Sequence, residues 1–400
     1  MSANTSARAL PLRTPGCPYR PAPEIADLAP VEKVLCPTGI EAWLVTGYDD
    51  VREVLGDPAR FSSASGQFGH VLANQPPDAP LTEGAFHRMD GADHLRFRRL
   101  LAPAISTPKR IEQFRAGVER VVHERLDALA TSGPPVDLHV EFSHAVTTAV
   151  LADLLAVPAE LFQKAAQTLF DSEVDRASLI AVMAEVVGYV TEVVQARRAA
   201  PGDDVVSVLI ERGGELNDTE LVNMIVGLVL AGLDTMATAI SYAVVLLLNH
   251  PQDYAALGED PGLVPGAVEE LLRYTSNGSG TLRVAAVDTE LAEVPIAAGE
   301  YVIAAAHAAN FDPRRFTEPD RLDIRRGRNP HIGFGHGPHQ CVAQQLARLE
   351  MVAALGALTR RVPTLRLAVP FEEIEFKYQT PMGGPARLPV TWDRIEGDLR

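Results

Sequence analysis

His331-Ile-Gly-Phe-Gly-His-Gly-Pro-His-Gln-Cys341, followed at once by Val342-Ala-Gln-Gln-Leu-Ala-Arg-Leu-Glu-Met351, decides how the rest of the chain is read. Gly333, Gly335 and Gly337 let the backbone lie close against something flat, Pro338 stiffens it, and Cys341 falls where a helical pattern begins. A sulfur at the positive end of a helix dipole, with free amides nearby, is expected to have a lowered thiol pKa and to persist as a thiolate. Such a thiolate is a metal ligand or a nucleophile. A lone cysteine at a helix start is otherwise a small buried hydrophobe; three spaced glycines and His339 favour the ligand.

Around this loop the chain has 400 residues, 46% of them hydrophobic and 22% charged, enough to bury a large core and too apolar for disorder. Its formal charge of −16 repels polyanions, which argues against nucleic acid and anionic membrane surfaces as general partners. Cys17, Cys36 and Cys341 form neither a disulfide framework nor a C-x2-C metal site, so a reducing cytoplasm is expected. Residues 1–20 read as a mobile, proline-rich lead-in without the apolar core of a signal peptide, and 21–400 as one domain. Met224–Leu248 is apolar enough to imitate a membrane span, but Asp234 at its centre would be costly in lipid. It reads as a helix buried through the middle of the protein.

Short β-branched runs at Glu41–Thr46, Val302–Ala306 and Leu388–Trp392 predict strands near the start and in the last third. Between them the period is helical, at about 141–155, 173–198, 217–248, 264–274 and 341–360. Thr107-Pro108 and Gly133 supply an N-cap, a first-turn proline and a terminal glycine for one long helix. No βαβ alternation occurs. The expected class is mainly α with a small β region, an α+β architecture.

Phe334-Gly335-x-Gly337-x-His339-x-Cys341 resembles the haem-binding loop of the cytochrome P450 superfamily, in which the cysteine thiolate is the proximal iron ligand. Ala343 stands where that family usually has glycine. Further landmarks follow in the family's order. Leu230-Ala-Gly-Leu-Asp234-Thr235 is similar to the oxygen-binding kink, where an acid and an alcohol relay protons; a buried Thr bonded to its own helix is the plainer alternative. Met236 replaces a second threonine that many relatives carry there. Glu270-Leu-Leu-Arg273 matches the family's Glu-x-x-Arg pair, although the same spacing recurs at Glu112/Arg115, Glu173/Arg176 and Glu318/Arg321. Pro319-Asp-Arg321-Leu322 looks like the segment whose arginine completes that network. His94-x-x-x-Arg98, Arg283 and His339 match the contacts to the haem propionates.

The resemblance spans nearly the whole chain, from Trp43 to the closing strands near Pro389. It implies a triangular single-domain body with a long central helix, haem b (iron protoporphyrin IX) as cofactor, and O2 activation with electrons from a ferredoxin, ferredoxin reductase and NAD(P)H. Arg96, Arg99, Arg325, Arg326 and Arg328 are expected to form the ferredoxin-docking patch. Family analogy draws the substrate pocket from Phe68, Val71, Leu72, Ala231, Met236, Thr281 and Met382, a mixture suited to a mid-sized apolar polyketide, terpenoid or modified peptide. The implied activity is hydroxylation or epoxidation in secondary-metabolite tailoring. A peroxide-driven or non-oxygenating haem-thiolate enzyme would usually lack the Asp234-Thr235 pair, and a haem-binding sensor or carrier has no use for it.

Overall fold

The structure is a computed structural model that describes residues 8–10, 18–64, 82–158, 176–214, 216–275, 280–377 and 383–397. Its axis is helix α7 (Asp218–Leu248). Asn217 and Glu220 form a reciprocal capping box at its start, satisfying two of the amides that a helix N-terminus leaves open. Beyond that turn the helix is buried on almost every side, with Leu233, Ile240, Tyr242, Val244 and Leu247 at 0% exposure. Its most apolar window is 61% buried inside the protein, so the membrane-like composition is that of a core helix.

Other helices pack around this axis. In chain order they are α1 (Tyr48–Gly56), α2 (Gly91–Ile105), α3 (Pro108–Ser132), α4 (Ala145–Leu155), α5 (Arg176–Ala199), α6 (Val205–Arg212), α8 (Pro251–Glu259), α9 (Val264–Tyr274) and α10 (Gln344–Arg361). The signals read for α3 hold: Thr107 accepts from the Arg110 amide, Pro108 opens the helix, and Gly133 closes it at φ +71°. Helix α10 lies along α3, and α4 and α5 flank α7. Gly232 matters here because Leu151 of α4 would stand 3.1 Å from any Cβ at that position.

The β region is small. A six-stranded sheet runs β1 (Arg8–Ala9), β2 (Val31–Leu35), β3 (Glu41–Val45), β9 (Tyr301–Ala304), β6 (Thr281–Ala285), β4 (Phe61–Ser62). The β3–β9 pair is parallel and sets Trp43 opposite Val302, while β9 and β6 are antiparallel with Val302 opposite Arg283. A second sheet orders β10 (Arg366–Leu367), β11 (Pro389–Thr391) and β5 (Val136–Asp137), and β7 (Thr289–Leu291) pairs with β8 (Val294–Ile296). The three expected strands are β3, β9 and β11. The lead-in is tied down where it is described: Arg8–Ala9 pair with Val34–Leu35, and Tyr19 packs edge-on against Tyr242 of α7.

Candidate active site

Residues 331–341 form a loop clamped on both flanks. The Ile332 amide donates to Asn310 Oδ1, the Cys341 amide to the Phe334 carbonyl, and Gly337 turns at φ +71°. A Cβ on Gly337 would lie 2.8 Å from Gly56 Cα, so α1 fixes this side of the loop. Helix α10 begins only at Gln344, so Cys341 precedes the helix instead of opening it. Burial pushes the Cys341 thiol up, while the Ala343 amide and the Arg98 and Arg348 guanidiniums pull it down. The net direction is upward, opposite to the lowered thiol expected from a helix-start position: desolvation outweighs the amide and two arginines.

Phe334 lies under the Arg348 guanidinium at 4.6 Å. Arg348 grips Glu269 through two nitrogens at 2.7 and 3.0 Å, and His331 Nε2 meets the same carboxylate at 3.1 Å. Burial alone would raise Glu269, but these partners outweigh it and hold the carboxyl at about 2. The loop is thus anchored to α9 by an acid the sequence reading missed.

Beside the loop opens a cavity of about 560 Å³ whose lining includes Arg88, Thr281, Arg283, Gly335 and His339. His94 of α2 stacks on His339 with ring centroids 3.9 Å apart. Asp90 accepts from Ser62 Oγ, from the amides of Ser63 and Ala64, and stands 3.3 Å from His339 Nε2. Burial, then the charges of His339 and Arg98, lower His94 to about 4, and burial lowers His339 as well. Arg283, 5% exposed, donates to the Leu282 carbonyl and pairs with no carboxylate among the described residues. Burial lowers its guanidinium to about 10. A buried cation in this state calls for an anionic ligand. The cavity wall brings Arg88, Arg283 and His339 together beside Gly335 of the loop that carries Cys341; cations for two carboxylates next to a thiol-bearing loop fit an iron porphyrin, so the residues present suit haem.

Behind the loop lies the Glu270–Arg273 pair, both 0% exposed and joined by two bonds of 2.8 and 2.9 Å. Arg273 also donates to the Asn310 carbonyl, which links it to the residue holding Ile332. The third arginine is not Arg321. That side chain is exposed and pairs with Glu318 and Asp323. Arg326 takes the place, its Nε 3.0 Å from Glu270 Oε2, and Asn329 Nδ2 donates to the same oxygen at 3.0 Å. Arg321 contributes its carbonyl, which accepts from Arg273 and Arg326. This also removes Arg326 from the expected docking patch. Arg96 departs from it too, gripping Glu220 of α7 at 2.7 and 3.0 Å. Arg99, Arg325 and Arg328 remain exposed.

On α7 the helix continues unbroken through Ala231–Thr235, and Thr235 Oγ1 donates back to the Ala231 carbonyl at 2.6 Å. This is the plainer of the two arrangements read from the sequence. Asp234 is 4% exposed, and its Oδ1 has no hydrogen-bond partner. His144 Nε2 lies 3.9 Å and Lys377 Nζ 4.0 Å from that oxygen. Ala231 and Met236 lie on the same helix, and Thr281 opens β6 at the cavity. Phe68, Val71, Leu72 and Met382 lie outside the described residues.

The cytochrome P450 family model matches residues 175–261 and 262–382, more than half of the chain. The chain is a cytochrome P450. As a cytochrome P450 it is a haem-dependent monooxygenase. Mycinamicin IV hydroxylase/epoxidase of Micromonospora griseorubida is 36% identical, covering 92% of this P450 and 94% of that protein. Vitamin D3 dihydroxylase of Streptomyces griseolus is 38% identical over 97% of this chain and 98% of its own. Among solved structures, CYP105P1 in complex with filipin I superposes with a TM-score of 0.89 at 40% identity, covering 98% of this P450 and 100% of that chain. The P450 fold, mainly helical with small sheets, follows from the same likeness.

Proposed function

We propose that this P450 oxidises a mid-sized apolar secondary metabolite, by hydroxylation or epoxidation, in the cytoplasm with electrons from a separate ferredoxin, its reductase and NAD(P)H. Haem held by a thiolate supplies O2 activation strong enough for unactivated C–H and C=C bonds. Cys341 is the residue that would hold it. Arg98, Arg283, His94 and His339 would bind its propionates, and Phe334 and Gly335 would lie against its ring. Buried Arg283, without a carboxylate partner among the described residues, is the observation that carries this assignment.

Asp234 and Thr235 are the proton-handling pair in this reading. The acid is buried on the central helix with an open oxygen, and the neighbouring hydroxyl, which donates to the Ala231 carbonyl, is its partner alcohol. Glu270, Arg273 and Arg326 support the loop and touch no reacting atom. Ala231, Met236 and Thr281, with Phe68, Val71, Leu72 and Met382, are the proposed substrate contacts.

For the electron donor, a depression of about 230 Å³ beside Gln340 is lined by Arg52, Arg315 and Arg328. With Arg99 and Arg325 these cations offer an acidic ferredoxin a seat near the thiolate loop, on a protein otherwise of net charge −16. The relatives' names suggest the first probes. Titration with mycinamicin IV, vitamin D3 and filipin I is expected to produce a high-spin spectral shift with at least one of them, and reconstitution with ferredoxin, reductase and NAD(P)H an oxygenated product. No shift with any of the three, or turnover with hydrogen peroxide alone, speaks against this reading.

A further inference from the structure

Asp234 is reached from outside by a cluster that brings together three distant parts of the chain. A π-helical turn (His139–His144) carries two imidazoles past α7, and Lys377 approaches from the segment after β10. His139 is fixed: its Nδ1 lies 2.9 Å from Ser241 Oγ, which donates to Ser143 Oγ at 2.9 Å. Burial lowers His139 to about 3, so it stays neutral at working pH. His144 crosses it edge-to-face at 4.7 Å and turns Nε2 toward Asp234 Oδ1. The side chains of His144 and Lys377 keep 21% and 25% exposure, against 5% for Asp234. In this cluster, water therefore meets His144 and Lys377 before it meets the acid.

We propose that His144 is the group that reprotonates Asp234, and that Lys377, facing the same Oδ1, holds the Asp234 side chain in place between transfers. This rests on the reading of Asp234 as a proton-handling acid. In the transfer the Nε2–H bond of the His144 imidazolium breaks, an O–H bond forms at Asp234 Oδ1 and the imidazole is left neutral; a hydronium ion from bulk water then restores the imidazolium and leaves water, and nothing is oxidised or reduced. His144 Nε2 stands 3.9 Å from an Oδ1 that accepts no hydrogen bond, with Lys377 Nζ at 4.0 Å from the same oxygen. The groups facing His144 are Asp234 on α7, Lys377, His139 on its own turn and Asp137 of β5. Burial lowers His144; Asp234 and Asp137 raise it, and Lys377 lowers it further. Burial dominates, so the net direction for His144 is downward, and the imidazole gives up its extra proton readily.

The test uses the reduced, carbon-monoxide-bound holoenzyme labelled with 15N-histidine and titrated between about pH 5 and 9. Asp234→Asn is expected to lower the His144 protonation constant, and Lys377→Met to raise it, each by about tenfold, as loss of a charge near 4 Å predicts. A His144 signal that ignores both substitutions overturns the proposal. In parallel, ferredoxin-driven O2 consumption is measured in H2O and D2O for Asp234→Asn, His144→Gln and His144→Phe, each checked by its carbon monoxide spectrum. Both His144 variants are expected to slow consumption at least fivefold and to lose its pH dependence in the histidine range. If Asp234→Asn slows it and the His144 variants do not, the His144 route is wrong. If Asp234→Asn changes neither the rate nor the isotope effect, the relay itself fails.

Discussion

Arg326 Nε donates to Glu270 Oε2 at 3.0 Å, inside a carboxylate that also receives two bonds from Arg273 and one from Asn329. Removing Arg326 leaves the fully buried Glu270 carboxylate paired with Arg273 but strips it of one charge-assisted hydrogen bond, a loss of about 1.5–3 kcal/mol. Arg326→Ala is therefore expected to lower the thermal midpoint and haem content sharply. Arg321→Ala, which breaks exposed pairs only, should cost less than about 1 kcal/mol. Thermal denaturation of the two variants side by side checks this, and equal losses would return Arg321 to the network.

The thiolate loop should separate two glycines of like conformation. Gly335 and Gly337 both have positive φ, 75° and 71°, but a Cβ on Gly335 meets open space while one on Gly337 runs into the backbone of Leu55 and Gly56. Gly335→Ala, whose Cβ would face the cavity, is expected to cost the apoprotein about 1–2 kcal/mol for the left-handed backbone alone. Gly337→Ala adds a backbone clash, and should destabilise the protein more and reduce haem incorporation. Chemical denaturation and the haem-to-protein absorbance ratio measure both effects.

Arg283 should matter more to haem retention than to folding. It is buried with a carbonyl acceptor, and the Asp90 charge offsets only part of its burial, so Arg283→Met removes an incompletely compensated charge from the apoprotein. A charge-assisted bond to a propionate is worth about 1.5–3 kcal/mol. Haem transfer to apomyoglobin from Arg283→Met is accordingly expected to be about 10- to 100-fold faster, with little loss of apoprotein stability.

His139 predicts an acid-sensitive stability. The unfolded imidazole takes its proton near 6.5 and the folded one only at about 3. Between those values the unfolded state binds more protons, so stability present above pH 6.5 is lost as pH falls, by about 1.4 kcal/mol per pH unit from this group. His139→Gln keeps a polar group beside Ser241 and removes the titration. Urea denaturation from pH 7 down to pH 5 should show a shallower decline for the variant; parallel curves would contradict it.

Much of this was legible in the sequence where spacing or end signals carried it. Thr107-Pro108 and Gly133 bound α3, the 264–274 period matched α9, and the apolar run around Asp234 belonged to the core. What escaped notice lies in irregular backbone. Arg321, Arg325, Arg326 and Arg328 share one segment without periodicity, so nothing in their order tells which side chain turns inward. Asp90, Glu269 and Asn329 act through partners far along the chain and carry no spacing signature. The helical period also extended α10 back to Cys341, where the backbone is still in the turn that precedes Gln344.

The reduced protein's carbon monoxide difference spectrum tests the central claim most directly. Thiolate ligation by Cys341 predicts the red-shifted Soret band that marks a cysteinate trans to carbon monoxide, absent in Cys341→Ser. A wild-type band at the position given by histidine-ligated haem, or an unchanged spectrum in Cys341→Ser, would contradict it.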